Sequence, residues 1–292
     1  MVLDRTQWNG ARPIRSQLDY LEGRDDVTRL LTQNSELRPH NVWNWSIPAW
    51  HTRLPDGTLF KTCPSAGICA QVCYARNGTY RFRNVAAKHQ QNLLLVLNDR
   101  EGWKTQLSQE IARLRQKPRD TPGIDPEMFA GNDPFLRNWL IGGGAAVRIH
   151  DAGDFFADWY LEDWCEQAKN HNTVLFYAYT KEVAMFRRAE EAGLIPYNFR
   201  YLFSTGGTQD AEIGSDRHAD VFPDEASMKA AGYTSQEASD LLAILLQTNK
   251  IGIKANNIRH FNKKIDGRTF SEMQASLRTR YPVGGGNDER QA

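Results

Sequence analysis

Val174-Leu-Phe-Tyr-Ala-Tyr179, followed at once by Thr180-Lys181, is the stretch from which the fold is read. It belongs to a series of short apolar runs that begins after Gly142-Gly143-Gly144. The others are Val147-Arg-Ile149, Arg200-Tyr-Leu-Phe203, Ala219-Asp-Val-Phe222 and Ile251-Gly-Ile253. Helix-like segments or polar loops mostly separate them. Strand then helix, several times over, implies parallel strands joined by crossovers. The expected class is therefore α/β, as a partial or complete β/α barrel or as an open doubly wound sheet.

Polar residues gather where the runs end. His150, Asp151 and Asp154 follow one, Thr180 and Lys181 the next, and Ser204, Thr205 and Gly206-Gly207 the third; Lys254, Asn256 and Asn257 follow the last. In barrels and open sheets alike the carboxyl ends of the strands form the mouth of the site, so these residues are the candidates to line it.

Upstream, Asn41-Val-Trp-Asn-Trp-Ser46 alternates as a half-buried strand does, and a turn at Pro55-Asp56-Gly57 leads into the densest chemical signal of the chain. This is Cys63-Pro-Ser-Ala-Gly-Ile-Cys69-Ala-Gln-Val-Cys73-Tyr74. Asn84 is expected to cap a helix with apolar positions at Val85, Leu93, Leu94 and Val96, and a second amphipathic helix is expected over about 103–115. Pro118, Pro122 and Pro126 then mark a long surface loop reaching Gly131. Residues 1–40 read as a polar extension with one helix at about 26–33, residues 41–283 as the domain, and 284–292 as a disordered tail.

The chain has 292 residues, enough for a core that needs no metal for stability. Lys and Arg total 36 against 35 for Asp and Glu, so a net charge of +1 makes no global case for a polyanionic partner. No secretory leader and no membrane-length apolar stretch is evident, which predicts a cytoplasmic protein with no membrane partner. In a reducing compartment clustered cysteines are metal ligands or redox groups rather than disulfides.

Three thiolates at Cys-x5-Cys-x3-Cys in a loop with Gly and Pro can converge on one inorganic centre, and an iron–sulfur cluster on Cys63, Cys69 and Cys73 with one iron open is the leading expectation. Zinc is the competitor, completed by Cys165 or a histidine, although structural zinc sites pair their cysteines more closely. Helical periodicity places Cys165 on one face with Leu161 and Ala168, where a small core residue belongs.

Three motifs in order, the cysteine cluster ending in Cys73-Tyr-Ala75, then Arg148-Ile-His-Asp-Ala-Gly-Asp-Phe155, then Tyr179-Thr-Lys181, resemble the gene-product-88 family of phage and mobile-element proteins over about residues 43–257. That family in turn resembles the radical S-adenosylmethionine (SAM) enzymes, where a partial β/α barrel carries a three-cysteine four-iron cluster after its first strand and SAM binds the open iron. The resemblance implies a radical-SAM-like partial barrel here, with a four-iron four-sulfur (4Fe-4S) cluster and SAM as a candidate ligand. The loop departs from the radical-SAM pattern, whose spacing is x3 then x2 with an aromatic before the last cysteine; here Val72 precedes Cys73 and Tyr74 follows it.

By the same resemblance His150 to Phe155 stands where those barrels keep a Gly-Gly-Glu element for the amino group of SAM. Asp151 or Asp154 would bind a ligand ammonium group, and His150 would carry a proton with a pKa near neutrality. The competing roles are a helix cap for either aspartate and a plain hydrogen-bonded place for the histidine. Lys181 either reaches a carboxylate or phosphate in the mouth or is a solvated helix-start lysine. Ser204, Thr205 and Gly206 either cradle an anion or simply turn the chain. Lys254 and Asn256 would line the far side.

Arg76, Tyr80, Arg81, Phe82, Arg83 and Lys88 interleave charge with aromatics directly after the cluster, a composition suited to nucleic acid and equally to a solvated face; Arg259, Lys263 and Lys264 form a second basic group. Two functions follow as expectations. One is an iron–sulfur enzyme with an open iron for SAM or a small-molecule substrate. The other is a non-catalytic iron–sulfur protein that binds nucleic acid, through Arg76, Arg81 and Arg83, or a host protein.

Overall fold

Side-chain alternation along each strand decides which face meets which layer. The computed structural model describes residues 29–117, 133–255 and 259–280. One sheet contains, in spatial order, β1 (Val42–Trp45), β4 (Ala146–Ile149), β5 (Leu175–Thr180), β6 (Phe199–Ser204), β7 (His218–Phe222), β9 (Lys250–Lys254) and β8 (Thr234–Ser235). Every neighbouring pair is parallel. The antiparallel hairpin β2 (His51–Arg53) and β3 (Leu59–Lys61) stands apart and turns through Gly57 at φ 88°. Each of the five apolar runs contains a strand, and so does the stretch from Asn41 to Ser46.

The described helices are α1 (Cys69–Val72), α2 (Arg83–Asn98), α3 (Arg100–Ala112), α4 (Pro134–Ile141), α5 (Asp158–Asn170), α6 (Val183–Glu191), α7 (Asp210–Ile213), α8 (Glu225–Ala230), α9 (Leu242–Leu245), α10 (Arg259–Ile265) and α11 (Phe270–Arg280). From β1 to β7 the sheet neighbours of the large sheet follow chain order, so successive crossovers add strands in one direction. The helices α2, α3, α5 and α6 share a single buried cluster with Val147, Ile149, Phe176 and Ala178. The alternate positions Ala146, Leu175 and Tyr177 face the other way and pack with α4 and α9. The result is a parallel sheet flanked by helices.

At the centre of the first cluster Trp45, Trp103, Trp164 and Tyr160 are fully buried, and Trp45 Nε1 donates to the Tyr160 hydroxyl at 2.8 Å. Each such side chain contributes on the order of 2–3 kcal/mol by leaving water. That burial pins α3 and α5 against β1.

Several expectations need correction. Asn84 does not cap α2: the helix begins at Arg83, and Phe82 at the N-cap makes no side-chain capping bond. The second helix begins at Arg100, because Asp99 accepts from the Gly102 N–H and fixes its start. Of the expected helix at 26–33, the described residues are not helical. Leu30 and Leu31 are buried and donate their N–H groups to Glu110 at 2.8 and 2.9 Å, and Thr32 bridges to Asn44. The proline loop after Lys117, Asn256 and Asn257, and the tail at 284–292 lie outside the described residues. Among the described residues no helix is long and apolar enough to cross a membrane.

Candidate functional site

The cysteine loop has only the four-residue α1 of its own, and its shape comes from contacts with strand ends. After β4, the Asp154 N–H donates to the Thr62 carbonyl at 3.1 Å. After β5, Glu182 accepts from the Ser65 N–H at 2.7 Å and from its hydroxyl at 2.8 Å. After β6, the Gly206 carbonyl accepts from the Cys69 N–H at 3.0 Å. Finally, Gln274 of α11 accepts from the Ile68 N–H at 2.7 Å. Burial, then the nearby Asp154 charge, pushes the Glu182 carboxyl up to about 7, against the pull of the Ser65 bonds.

A cavity of about 780 Å³ opens beside the loop, and Cys63, Cys69, Cys73, Asp154, Lys181 and Ser204 all border it. The carboxyl ends of β4, β5 and β6 and the three thiols thus meet at one place. Cys63 Sγ accepts from the Trp50 N–H at 3.1 Å, while burial raises its thiol pKa, with Asp154 adding to the rise. The Cys69 and Cys73 thiols interact with each other. That interaction lowers the Cys69 thiol to about 6, with Lys181 helping against burial, and raises its partner. Among the described residues no group of three His, Cys, Asp or Glu side chains is arranged to hold a metal ion. A second cavity, of about 610 Å³, lies around Phe199, Arg200 and Arg217 and includes no cysteine.

Asp154 acts as a strut. Its Oδ1 accepts from the Phe155 N–H and the Thr180 hydroxyl, both at 2.8 Å, and Oδ2 accepts from the Lys181 N–H at 3.0 Å. Neither Asp154 nor Asp151 caps the helix that follows, since α5 begins after Ala157 with no side-chain cap. Asp151 instead pairs with Arg148 at 3.1 Å and accepts from the Tyr80 hydroxyl at 2.7 Å. Lys181 is buried, not solvated. Its ammonium donates to the Ser204 carbonyl at 3.2 Å, the Ser204 hydroxyl at 2.7 Å and the Thr205 carbonyl at 2.9 Å, which uses all three protons.

His150 is corrected more sharply. Its backbone sits at φ 67°, its ring stands edge-on to Phe155 with centroids 4.9 Å apart, and neither ring nitrogen forms a hydrogen bond that would hold a proton in place. Burial draws its pKa down to about 3, so it is neutral rather than poised near neutrality; the Ala152 backbone offsets this only in part. The glycine turn is corrected too. Gly206 and Gly207 give their N–H groups to Asp210 at 2.8 and 2.7 Å, so the chain's own carboxylate fills the expected anion cradle. Thr205 donates to Asp220 at 2.6 Å. Lys254 stays on the rim, 3.3 Å from Glu237, and Asn256 is outside the described residues. Cys165 is buried in the helix-side core with its thiol raised to about 12 by burial.

Sequence reasoning missed a polar wall of the cavity. Arg148, inside β4, holds its guanidinium 5.3 Å from the Tyr179 ring, with Nη1 3.1 Å from Asp151 and Nε 3.6 Å from Asp240. Tyr179 donates to Gln236 at 2.5 Å and also reaches Asp240 at 3.1 Å, while the Tyr177 hydroxyl bonds to Asp240. The available signal was an arginine between Val147 and Ile149, at a position whose alternation aims it to the face opposite α2, α3, α5 and α6.

Comparison with known proteins places the chain. The model of the family described as gene product 88 matches residues 24–280, most of the sequence, and the chain belongs to that family. No curated protein and no solved structure matches.

Proposed function

We propose that this member of the gene product 88 family is an iron–sulfur protein in which Cys63, Cys69 and Cys73 hold a 4Fe-4S cluster, one iron being open to a small-molecule substrate or SAM. The observation that carries the reading is the convergence of all three thiols on one cavity of about 780 Å³, on a loop tied to the ends of three strands. Strands added in one direction, with the larger crossover helices on one face, support reading the sheet as a partial β/α barrel of the radical-SAM kind.

The donor set fits the group. It is all sulfur, the soft chemistry that iron–sulfur clusters and zinc select. A four-iron cube spreads its thiolates more widely than one tetrahedral ion does, so Cys69 and Cys73, which touch each other here, would have to part to hold it. Cys63 Sγ already accepts one backbone N–H, and Lys181 brings a cation near Cys69. When bound, the cluster would supply an electron or a Lewis-acid site.

The chain's own residues have separable tasks in this reading. Asp154 and Glu182 fix the loop to the strand ends. Lys181 ties β5 to β6 and sets positive potential beside the thiols. Arg148 borders the cavity with its charge shared between Asp151 and Asp240, and its Nε, which makes no hydrogen bond, is the donor left to meet a polar group of a ligand. Anaerobic purification with iron, sulfide and zinc analysis tests the assignment. Replacing Cys63, Cys69 or Cys73 by Ala should each remove most of the iron and the brown colour, and Cys165→Ala should keep both. A colourless protein with stoichiometric zinc overturns the reading. With a strong reductant and SAM, release of methionine and 5′-deoxyadenosine would assign the open iron to SAM.

A further inference from the structure

Five cations lie on or next to segments that border the cavity, far apart in the chain. Arg76 lies 4.4 Å over the ring of Trp50, which borders the cavity. Arg81 follows the bordering Tyr80, and Arg83 opens α2. From α10, Lys264 Nζ donates to the Gln71 carbonyl at 2.6 Å, between the bordering Ala70 and Val72, and brings Lys263 with it. All five are exposed, and none has a carboxylate within ion-pair distance among the described residues, whereas Arg100, Arg148, Arg187 and Arg200 are all paired. In a chain of net charge +1 this is a local excess.

Two of the exposed large aromatic side chains lie on the same segment, Phe82 at 59% exposure and Tyr74 at 38%. Phe82 is held outward at the start of α2 with no capping bond and no acid in the first turn, so nothing there repels an anion. Unpaired cations interleaved with presented aromatic faces are the two components of a surface that tracks a phosphate backbone and stacks bases.

We propose that this rim binds single-stranded nucleic acid, with phosphates on Arg76, Arg81, Arg83, Lys263 and Lys264, bases stacked on Phe82 and Tyr74, and one nucleotide directed into the cavity beside Arg148. A single strand is required because stacking needs free base faces, and the cavity, at about 780 Å³, is of a size that takes a nucleotide. The fate of that nucleotide rests on the cluster reading. The docking itself does not.

Fluorescence anisotropy of a labelled oligothymidylate of about 15 nucleotides tests the docking on the full chain, alongside a duplex of equal length and a range of salt concentrations. Affinity should fall with log salt at a slope of about −3 if most of the five cations meet phosphates. Arg81→Glu with Arg83→Glu should weaken binding roughly tenfold or more and flatten the slope by about 1.4, and Phe82→Ala should weaken it roughly tenfold with the slope unchanged. Circular dichroism and iron content of the variants should match the parent protein. No binding at about 50 mM salt, equal binding of the duplex, or charge-reversed protein that binds as the parent does each overturns the proposal. Iron content separates the two readings: iron-free protein that binds the strand refutes the cluster alone, and iron-replete protein that does not bind refutes the docking alone.

Discussion

Replacing Asp154 by Ala tests whether this carboxylate is a strut rather than a cap. The side chain is 5% exposed and accepts from the Phe155 N–H, the Thr180 hydroxyl and the Lys181 N–H at 2.8 to 3.0 Å. Hydrogen bonds to a charged acceptor are worth about 1.5–3 kcal/mol each, so the gross sum is about 4.5–9 kcal/mol. Burial pushes the carboxyl pKa upward, so desolvation outweighs what these bonds give the charge and the loss comes from the donors left unpaired, some of which the adjoining cavity lets water reach. A net loss of about 3–5 kcal/mol remains. With a urea m-value of about 3 kcal/mol/M for a chain of this size, the unfolding midpoint should drop by about 1–1.7 M. Asp154→Asn keeps an acceptor for Thr180 and Phe155 but aims an amide N–H₂ at the Lys181 N–H, so about half the loss is expected. A helix cap would cost about 1 kcal/mol, or about 0.3 M. An Ala midpoint that close to the parent's refutes the strut.

Three further outcomes follow from the site's electrostatics. Glu182 has a folded pKa of about 7, above its ordinary 4.5, so its contribution to stability is present below pH 4.5 and lost as pH rises through 7. Urea midpoints of the parent and Glu182→Gln should therefore diverge between pH 5 and 8, with the parent losing stability relative to the variant, and parallel curves would sink the assignment. For His150 the sign reverses: with a folded pKa of about 3 against 6.5, its contribution is present above pH 6.5 and is lost as pH falls toward 3. His150→Asn, which also tolerates a left-handed backbone, should flatten the acid limb of stability below pH 6.5; an unchanged limb means the ring is not held neutral. Lys181→Met removes the cation beside Cys69, so the iodoacetamide reaction of Cys69 in iron-free protein at pH 7 should slow as the thiolate fraction falls, and an unaltered rate would remove Lys181 from the site's electrostatics.

Local information in the chain determined the strands and the place of the cavity. The runs at Val147, Val174, Arg200, Ala219 and Ile251 are strands because side-chain alternation and apolar runs act over a few residues, and parallel pairing follows from the helices between them. The clustering of polar residues at strand ends, and of three cysteines in one loop, located the cavity for the same reason. What each of those polar groups does was decided only by tertiary structure. Lys181 is spent on Ser204 and Thr205, reached across a whole crossover, and the neutrality of His150 comes from its burial against Phe155 and Tyr160. Arg148 and Asp240 meet across the sheet with no sequence pattern linking them. A side chain's charge is written in the sequence, but whether that charge is free depends on partners and on burial, and both are set by contacts between distant segments.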